Sequence, residues 1–456
     1  MAGIGFELRK LLKKDTLSGL LQAYTFAGVI GSGPWVLSIL GILIIGLLST
    51  AVVVPSVLIT QFQTSVTYLI ASSLILTGGL QLAFTRYVSD RLFERRDAVV
   101  MPNLNGLLMI VMFGASVIGV PCLFLLFPGL SPLYRILMLA AFVLLCAIWV
   151  VTIFLSGMKR YKEIVGLFAL GYGVTVVVAL LLRPFGLEGL LGGFVVGHCV
   201  LFGGMWLLVA LDFRSQQIID FDFCQREKIY PSLLVIGLFY NLGVWIDKFM
   251  FWFFPDTSDA VIGALRASII YDLPVFLAYL SIIPGMAVFM VRIETDFVEY
   301  YDKFYNAVRN GGSLGYIEDM RNEMVYSVKL GLAEIGKIQT LAVLITYVAG
   351  PSLLEALGIS ELYLPLLYIQ VIGAGLQVVL LSVLNVFFYL DQQRIILILC
   401  LEFFILNVAL TALTLWQGAA FYGYGFALSV LITLATALAL LDRKLDRLEY
   451  ETFMLQ

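Results

Sequence analysis

The chain has 456 residues, of which 61% are hydrophobic and only 13% charged, and its mean hydropathy is +0.99. These values exclude an ordinary soluble globular protein. The net charge of −3 gives no bulk attraction to nucleic acid. The five cysteines stand singly, without a CxxC pair or a cluster around the one histidine, His198. They predict free thiols, and neither a metal nor another cofactor is expected.

Twelve apolar segments in chain order predict an all-α integral membrane protein, since a membrane-spanning helix needs about 20 apolar residues. Their predicted ranges are 19–48, 56–84, 104–127, 133–156, 164–182, 189–211, 230–254, 262–291, 338–350, 362–390, 395–416 and 420–441. Most of the 28 Lys and Arg residues lie at the N-terminus and in every second connection. Because cytoplasmic connections are rich in basic residues, both termini are predicted to be cytoplasmic.

The segment before the first span, residues 1–18, is predicted to be an amphipathic helix on the inner membrane surface. Ile4, Leu8, Leu11 and Leu12 share one face, opposite Arg and Lys side chains.

The first span is interrupted by a proline and two glycines in the stretch "GVIGSGPWVLSIL", residues 28–40. Pro34 removes the hydrogen bond to residue 30 and disfavours helical geometry at Gly33. We expect a hinge formed by Gly31, Gly33 and Pro34. The alternative is a fixed kink that lets neighbouring helices pack closely.

The seventh span repeats part of this pattern. Gly33 and Trp35 are followed 210 residues later by Gly243 and Trp245. We therefore interpret spans one and seven as paired gate helices.

A weak internal repeat relates the two halves of the chain. The end of span two, "FTRYVSD" (84–90), resembles the end of span eight, "VRIETDF" (291–297). The interpretation is an N-lobe (19–215) and a C-lobe (229–441), each of six helices, related by a pseudo-twofold axis along the membrane normal. Transporters of this design bind substrate near mid-membrane, where the two repeats meet. The alternative is chance similarity between amphipathic span ends.

Polar and aromatic side chains recur at helical spacing on one face of spans one, two and seven. Sugar C–H faces pack on aromatic rings, and sugar hydroxyls pair with amides and hydroxyls. Ionisable groups within spans usually face a cavity or a partner. The predicted substrate path consists of Tyr24, Ser32, Trp35, Gln61, Tyr68, Asn241, Trp245, Asp247, Lys248, Arg266 and Asp272.

The charged members of this set have a structural alternative. Asp247 and Lys248 need not pair, because consecutive helical residues point about 100° apart. Asp247 with Arg266, or Lys248 with Asp272, could instead tie spans seven and eight together. A carrier of pyrophosphate-linked lipid would need several cations. Lys248 and Arg266 alone favour a neutral or weakly charged cargo.

The long eighth connection, 292–337, predicts a helical hairpin on the cytoplasmic side, and residues 442–456 form a cytoplasmic tail. The hairpin has an aromatic stripe that either docks a cytoplasmic partner or covers the protein's own base. The predicted docking residues are Phe297, Tyr301, Phe304 and Tyr305.

The motifs "MAGIGFELRKLL" (1–12) and "GVIGSGPW" (28–35) resemble the Pel exopolysaccharide transporters. These are polysaccharide transporters of the multidrug/oligosaccharidyl-lipid/polysaccharide flippase superfamily, which has two six-helix lobes. The resemblance implies a bacterial inner-membrane protein that carries the Pel polymer, rich in N-acetylgalactosamine, to the periplasm. It also implies a complex with a cytoplasmic glycosyltransferase and cyclic-di-GMP-sensing membrane proteins. It supplies no site motif.

The leading functional hypothesis is translocation of a growing polysaccharide within a synthase–transporter complex. The alternatives are a flippase for a lipid-linked saccharide, an antiporter with coupling ions at Asp247, Asp272 and Glu402, and a non-transporting scaffold for a glycosyltransferase. An enzyme is not expected. The chain carries no phosphate-binding loop and no nucleophile beside a base, and the external connections are too short for a catalytic domain.

Overall fold

The computed structural model describes residues 16–49, 57–158, 160–225, 228–356 and 360–454, most of which are helical. Residues 1–15 of the predicted surface helix (1–18) therefore lie outside the described residues. The α-helices are α1 (Leu17–Ser49), α2 (Val57–Phe93), α3 (Val100–Leu126), α4 (Pro132–Gly157), α5 (Tyr161–Leu182), α6 (Gly186–Asp212), α7 (Pro231–Phe253), α8 (Ile269–Leu280), α9 (Ile283–Val291), α10 (Val298–Arg309), α11 (Leu314–Ala356), α12 (Leu364–Tyr389), α13 (Gln393–Gln417), α14 (Tyr424–Asp446) and α15 (Leu448–Met454). A π-helix, Arg292–Phe297, joins α9 to α10.

The number of spanning helices in the structure agrees with the number predicted from the sequence. Within the described ranges, ten helical stretches are long and apolar enough to cross a membrane, and the bent α1 adds an eleventh. One of the ten stretches contains both α5 and α6, which the short 3-10 helix Arg183–Phe185 joins. The prediction of about twelve transmembrane helices is thereby confirmed.

Spans eight and nine differ from their predicted boundaries. Residues 262–291 do not form one helix. They begin within an antiparallel hairpin of β1 (Asp259–Ile262) and β2 (Leu265–Ala267), and α8 and α9 follow. Span nine is part of the 43-residue helix α11, because the polar segment before it continues the same helix.

The hairpin turns at Gly263, whose φ of 55° falls in the left-handed region that glycine tolerates. A Cβ atom there would lie 2.6 Å from the Phe127 ring and 2.8 Å from the carbonyl oxygen of Leu126. The neighbouring Ala264 N–H donates to that same carbonyl oxygen at 3.0 Å. The turn is thus held against the end of α3.

The chain divides into two compact units, and neither is a continuous half of the sequence. We call Gly33–Trp245 with Pro255–Ser268 the N unit. The C unit contains the residues up to Ser32, then Ile246–Phe254, and the chain from Ile269 onward. The chain therefore passes from one unit to the other inside α1 and again inside α7. The predicted lobes would assign each of these helices whole to one half.

Close backbone approaches hold the N unit together. A Cβ atom on Gly237 of α7 would lie only 2.3 Å from the carbonyl oxygen of Gly78 in α2. In α6, Gly193 and Gly197 stand four residues apart and pack against α5. A Cβ atom on Gly197 would lie 1.9 Å from Oγ1 of Thr175. Small residues at this spacing allow membrane helices to pack backbone to backbone.

The start of α1 packs inside the C unit against α9. A Cβ atom on Gly28 would lie 3.5 Å from Cβ of Ala287, and one on Gly31 would lie 3.1 Å from Cγ of Met290. These glycines give α1 a smooth face for α9, so the motif has a packing role in addition to any hinge role.

Candidate functional site

The most unusual polar group of the C unit is an ion pair inside α7. Nζ of Lys248 donates to both carboxylate oxygens of Asp247, at 3.2 and 3.1 Å. Asp247 is fully buried and Lys248 is 5% exposed. Among the described Asp, Glu, Lys and Arg side chains, these two are the buried ones. The sequence left this pairing open, and the structure shows it. The long lysine side chain reaches back to the neighbouring carboxylate despite the angle between the two positions.

Neighbouring helices complete the shell around the carboxylate. The hydroxyl of Tyr271 in α8 donates to Oδ2 of Asp247 at 2.6 Å, and Nδ2 of Asn407 in α13 approaches Oδ1 at 3.5 Å. Oγ1 of Thr411 donates to Oδ1 of Asn407 at 2.9 Å, which orients the amide. The carboxylate is thereby surrounded by donors on three helices, as a buried charge requires.

Two aromatic rings face the ammonium group. Nζ of Lys248 lies 5.5 Å from the ring centroid of Tyr279 and 5.0 Å from that of Phe426. Both distances fall within the range of a cation–π interaction. The Tyr279 hydroxyl donates to Oε1 of Gln377 at 2.8 Å, which fixes the ring. We call Asp247, Tyr271, Tyr279, Asn407 and Phe426 the ammonium cage. It can hold a positive charge, but it combines no nucleophile with a base.

Asp272 and Arg266, which the alternative ion pairs involve, have partners of another kind. Asp272 accepts from Nε1 of Trp252 at 2.7 and 2.9 Å. Trp252 is buried. The guanidinium of Arg266 donates to Oγ and to the carbonyl oxygen of Ser258, at 2.9 and 2.7 Å. Arg266 belongs to β2 and not to a spanning helix, because the hairpin replaces the start of the predicted span eight.

The predicted sugar-facing residues of α2 hold the hairpin within the N unit. Nε2 of Gln61 donates to the carbonyl oxygen of Val261 at 3.1 Å. The hydroxyl of Tyr68 donates to the carbonyl oxygen of Arg266 at 2.9 Å. The structure thus gives both polar tips a structural role that the sequence pattern did not indicate.

The remaining predicted path residues are divided between the units. Asn241 and Trp245 belong to the N unit, and Nδ2 of Asn241 donates to the carbonyl oxygen of Gly237 at 2.8 Å. Tyr24 and Ser32 belong to the C unit. Oγ of Ser32 is buried and donates to the carbonyl oxygen of Gly28 at 2.5 Å, while the Tyr24 hydroxyl interacts with the guanidinium of Arg292. The side chain of Trp35 lies outside the described residues.

The predicted hinge coincides with a bend in α1. The segments Leu21–Gly33 and Val36–Gly46 are inclined by 68° to one another. Pro34 lies in the break, although its side chain is outside the described residues, and the chain changes units immediately before Gly33. A bend is the expected result of the missing backbone hydrogen bond. Movement at this bend stays a prediction.

Two of the four predicted docking residues are unavailable to a partner. Phe297 and Phe304 are fully buried, while Tyr301 and Tyr305 are partly exposed. The Phe297 ring lies 5.6 Å from the ring of Tyr389 in α12. The aromatic stripe therefore packs largely against the chain itself, and the docking prediction is corrected for the two phenylalanines. An amphipathic pattern alone does not distinguish these two uses.

Sequence reasoning missed the π-helix and its ion pairs. Arg292 donates to both carboxylate oxygens of Glu334 in α11, at 2.5 and 3.0 Å, and to Asp296 at 2.7 Å. Oγ1 of Thr295 donates to the carbonyl oxygen of Met290, five residues earlier, at 3.0 Å. π-helical turns occur frequently at functional sites. The signal in the sequence was the dense alternation of charges in "RIETD" (292–296).

In the N unit, the connection before α7 has its own acidic centre. Asp222 accepts from the hydroxyl of Tyr87 at 2.9 Å, from Nε2 of Gln225 at 2.7 Å, and from Lys228. Burial by itself would raise the pKa of Asp222, but the hydrogen bonds from Lys228 and Tyr87 outweigh it and lower the pKa below its ordinary value. The charged carboxylate therefore fastens this connection to α2.

Comparison with known proteins assigns the chain to a family. The model of the PelG family, described as an exopolysaccharide exporter (EPS-E), matches residues 1–453. The chain belongs to the PelG family. The resemblance of its opening motifs to the Pel exopolysaccharide transporters is thereby confirmed. Together with the transporter fold, membership in PelG makes transport of a polysaccharide or a lipid-linked saccharide the function of this multi-pass membrane protein.

Solved structures with the same fold are transporters. The chain is 16% identical to a MATE protein in the bent conformation, with 99% of each chain covered and a TM-score of 0.65. It is 15% identical to a MOP superfamily transporter from Pyrococcus furiosus, covering 93% and 95% with a TM-score of 0.64. An outward-facing multidrug resistance MATE transporter of the MOP superfamily is 14% identical, covering 93% and 96% with a TM-score of 0.63. No curated protein matches the chain.

Proposed function

We propose that this PelG-family protein carries the growing Pel polysaccharide across the bacterial inner membrane and catalyses no reaction of its own. The observation that carries the proposal is the family match over residues 1–453, on a fold shared with transporters. The concentration of basic residues in alternate connections supports cytoplasmic termini.

The charges of the described spans favour a polymer over a pyrophosphate-linked lipid. Such a lipid needs cations that are available to its phosphates. Lys248 donates to Asp247, and the guanidinium of Arg266 donates to Ser258. Both cations that the sequence offered to an anionic cargo are therefore already engaged with the protein.

The proposed path keeps Trp245 and Asn241 as its central residues. Trp245 is partly exposed and is the last residue of the N unit along α7, next to the start of a C-unit segment. Its indole offers the flat surface on which a sugar ring packs. The polar tips of Gln61 and Tyr68 hold the hairpin, so these two residues would contribute their exposed edges and not their hydrogen-bonding groups.

We further propose that the protein works with a cytoplasmic glycosyltransferase and cyclic-di-GMP-sensing membrane proteins. The family match supports this assembly, and the partly exposed rings of Tyr301 and Tyr305 remain candidates for the contact. The buried rings of Phe297 and Phe304 would then support α10 from inside.

Inside-out membrane vesicles that contain the protein and its glycosyltransferase test the proposal. Labelled sugar nucleotide is added outside, and a glycoside hydrolase then removes every product that has not entered the lumen. We expect high-mass product that resists the hydrolase, and none in vesicles lacking this chain.

The same assay separates the other functions. Protected product that organic solvent extracts as one discrete species would make the protein a lipid-linked saccharide flippase. Polymer that stays accessible to the hydrolase at an unchanged synthesis rate would contradict transport. A loss of synthesis when the chain is removed would favour the scaffold.

A further inference from the structure

The ammonium cage of the C unit has no role in the proposed transport path. A buried carboxylate normally recruits an ion or a proton from solution, because an unpaired charge is costly away from water. Here the positive charge comes from the adjacent residue of the same helix. The carboxylate of Asp247 has both oxygens within 3.2 Å of Nζ of Lys248.

The cage is built for the ammonium group rather than for lysine as a whole. Tyr271 and Asn407 donate hydrogen bonds to the carboxylate of Asp247, and these hydrogen bonds position its negative charge. The ring of Tyr279, also on α8, and the ring of Phe426 on α14 face Nζ at 5.5 and 5.0 Å. A carboxylate combined with two aromatic faces is the environment that alkylammonium ions prefer.

We propose that Asp247, Tyr279 and Phe426 form a binding site for a primary ammonium ion, which Lys248 occupies as a tethered ligand. Four of the five cage residues lie on helices other than α7: Tyr271 and Tyr279 on α8, Asn407 on α13 and Phe426 on α14. The lysine side chain is therefore not needed to assemble these four residues. Shortening Lys248 therefore opens the site to a small alkylammonium ion from solution.

If the protein transports its cargo as proposed, the tethered ammonium also limits which residues can couple transport to an ion gradient. A carboxylate that holds a tethered ammonium does not exchange a cation with solvent in each cycle. Asp247 would therefore be removed from the candidate coupling sites of an antiporter, and the pair would serve to neutralise charge inside the C unit.

The test is a thermal unfolding assay on the purified full-length protein in detergent, comparing wild type with Lys248→Ala. Methylammonium chloride is titrated at constant ionic strength. We expect a saturable rise in Tm of roughly 2–4 °C for Lys248→Ala and none for wild type. The double variant Asp247→Asn/Lys248→Ala should show no rise, because the carboxylate is then absent.

Controls separate this site from general salt effects. Lys329→Ala removes an exposed lysine that lies 3.4 Å from Asp442, in a pair whose side chains are 60% and 64% exposed, and it should not respond to methylammonium. Phe426→Leu in the Lys248→Ala background should weaken the response, because one aromatic face is lost. If Lys248→Ala does not accumulate, its yield in cells grown with methylammonium replaces Tm as the readout.

Three results would overturn the proposal. One is an equal response in wild type, which would mean that Lys248 does not occupy the site. Another is a response to sodium but not to methylammonium, which would indicate an oxygen-ligated metal site. The third is a Lys248→Ala protein that methylammonium neither stabilises nor rescues. Because the readout is stability, failure here leaves the vesicle assay for transport unaffected.

Discussion

The two units of this membrane protein differ in which polar side chains they bury. The N unit brings backbones together at glycines, and buried hydroxyls of α2, such as those of Ser65 and Thr77, donate to carbonyl oxygens of the same helix. The C unit buries a full ion pair, Asp247 with Lys248, and surrounds it with donors and rings. Both units pack through close glycine contacts, such as Gly425 against Thr411 in the C unit. Among the described Asp, Glu, Lys and Arg side chains, a fully buried ion pair is a feature of the C unit.

Removing half of the buried pair should have the largest effect. Lys248→Met leaves the Asp247 carboxylate buried without its cation and should cost about 3–5 kcal/mol of unfolding free energy. Asp247→Asn/Lys248→Met should recover most of that loss, because both charges disappear together. Denaturant unfolding of the three proteins in detergent measures these differences.

The matched control is the N unit's exposed pair. Arg160 donates to Asp212 at 2.6 to 3.0 Å, but its side chain is 38% exposed. Arg160→Met should therefore cost no more than about 1 kcal/mol. An equal cost for the buried and exposed pairs would remove the distinction between the units.

A bulky side chain at a close glycine contact should have the next largest effect on stability, through steric overlap alone. Gly237→Leu would drive its Cβ atom into the carbonyl of Gly78, and overpacking of this kind costs about 1–3 kcal/mol or more. Gly173→Leu in α5 is the control, because nothing lies within 4 Å of its Cβ position. The yield of folded protein and its Tm report the result. Equal behaviour of the two variants would contradict close packing at Gly237.

A hinge variant should change transport without changing stability. Pro34→Ala restores the backbone donor in the bend of α1, so we expect export to fall several-fold while Tm stays close to that of wild type. Secreted polysaccharide per amount of membrane protein is the measurement. Normal export from normally folded Pro34→Ala protein would make the bend a fixed kink.

The smallest effect is a pH dependence in the connection before α7. The folded-state pKa of Asp222 is lowered, so its stabilising contribution is present above the ordinary carboxyl pKa near 4 and is lost as the pH falls through the lowered value. The protection factors of the amides in residues 220–225, which correct for the pH dependence of intrinsic exchange, should therefore be high at neutral pH and fall below about pH 4. Asp222→Asn should exchange faster at pH 7 and lose most of this pH dependence. A wild-type profile in Asp222→Asn would contradict the assignment.

The spanning helices were predictable from the sequence because hydropathy and length determine them locally. The division of α1 and α7 between the two units was not predictable, because it depends on tertiary contacts such as Gly28 with Ala287. The aligned residues Gly33 and Gly243 did mark the vicinity of two of the four unit changes, those after Ser32 and after Trp245.

The hairpin 259–267 was missed because most of its residues are apolar and run directly into the apolar helix that follows. Gly263, between two short apolar stretches, was the only local sign of a turn. Within the candidate site, the sequence identified Asp247 and Lys248 but not their pairing. The cage requires Tyr271, Tyr279, Asn407 and Phe426 to converge from other helices, which no local pattern encodes.

A photo-crosslinking amino acid at position 245, in cells that make the polymer, tests the central claim most directly. Position 206 is the matched control, because Nε1 of Trp206 donates to Oδ1 of Asn105 at 2.9 Å inside the N unit. We predict a high-mass, polydisperse saccharide adduct from position 245 and none from position 206. A single lipid-linked adduct at position 245, or no saccharide adduct during active secretion, would contradict passage of the polymer along this helix.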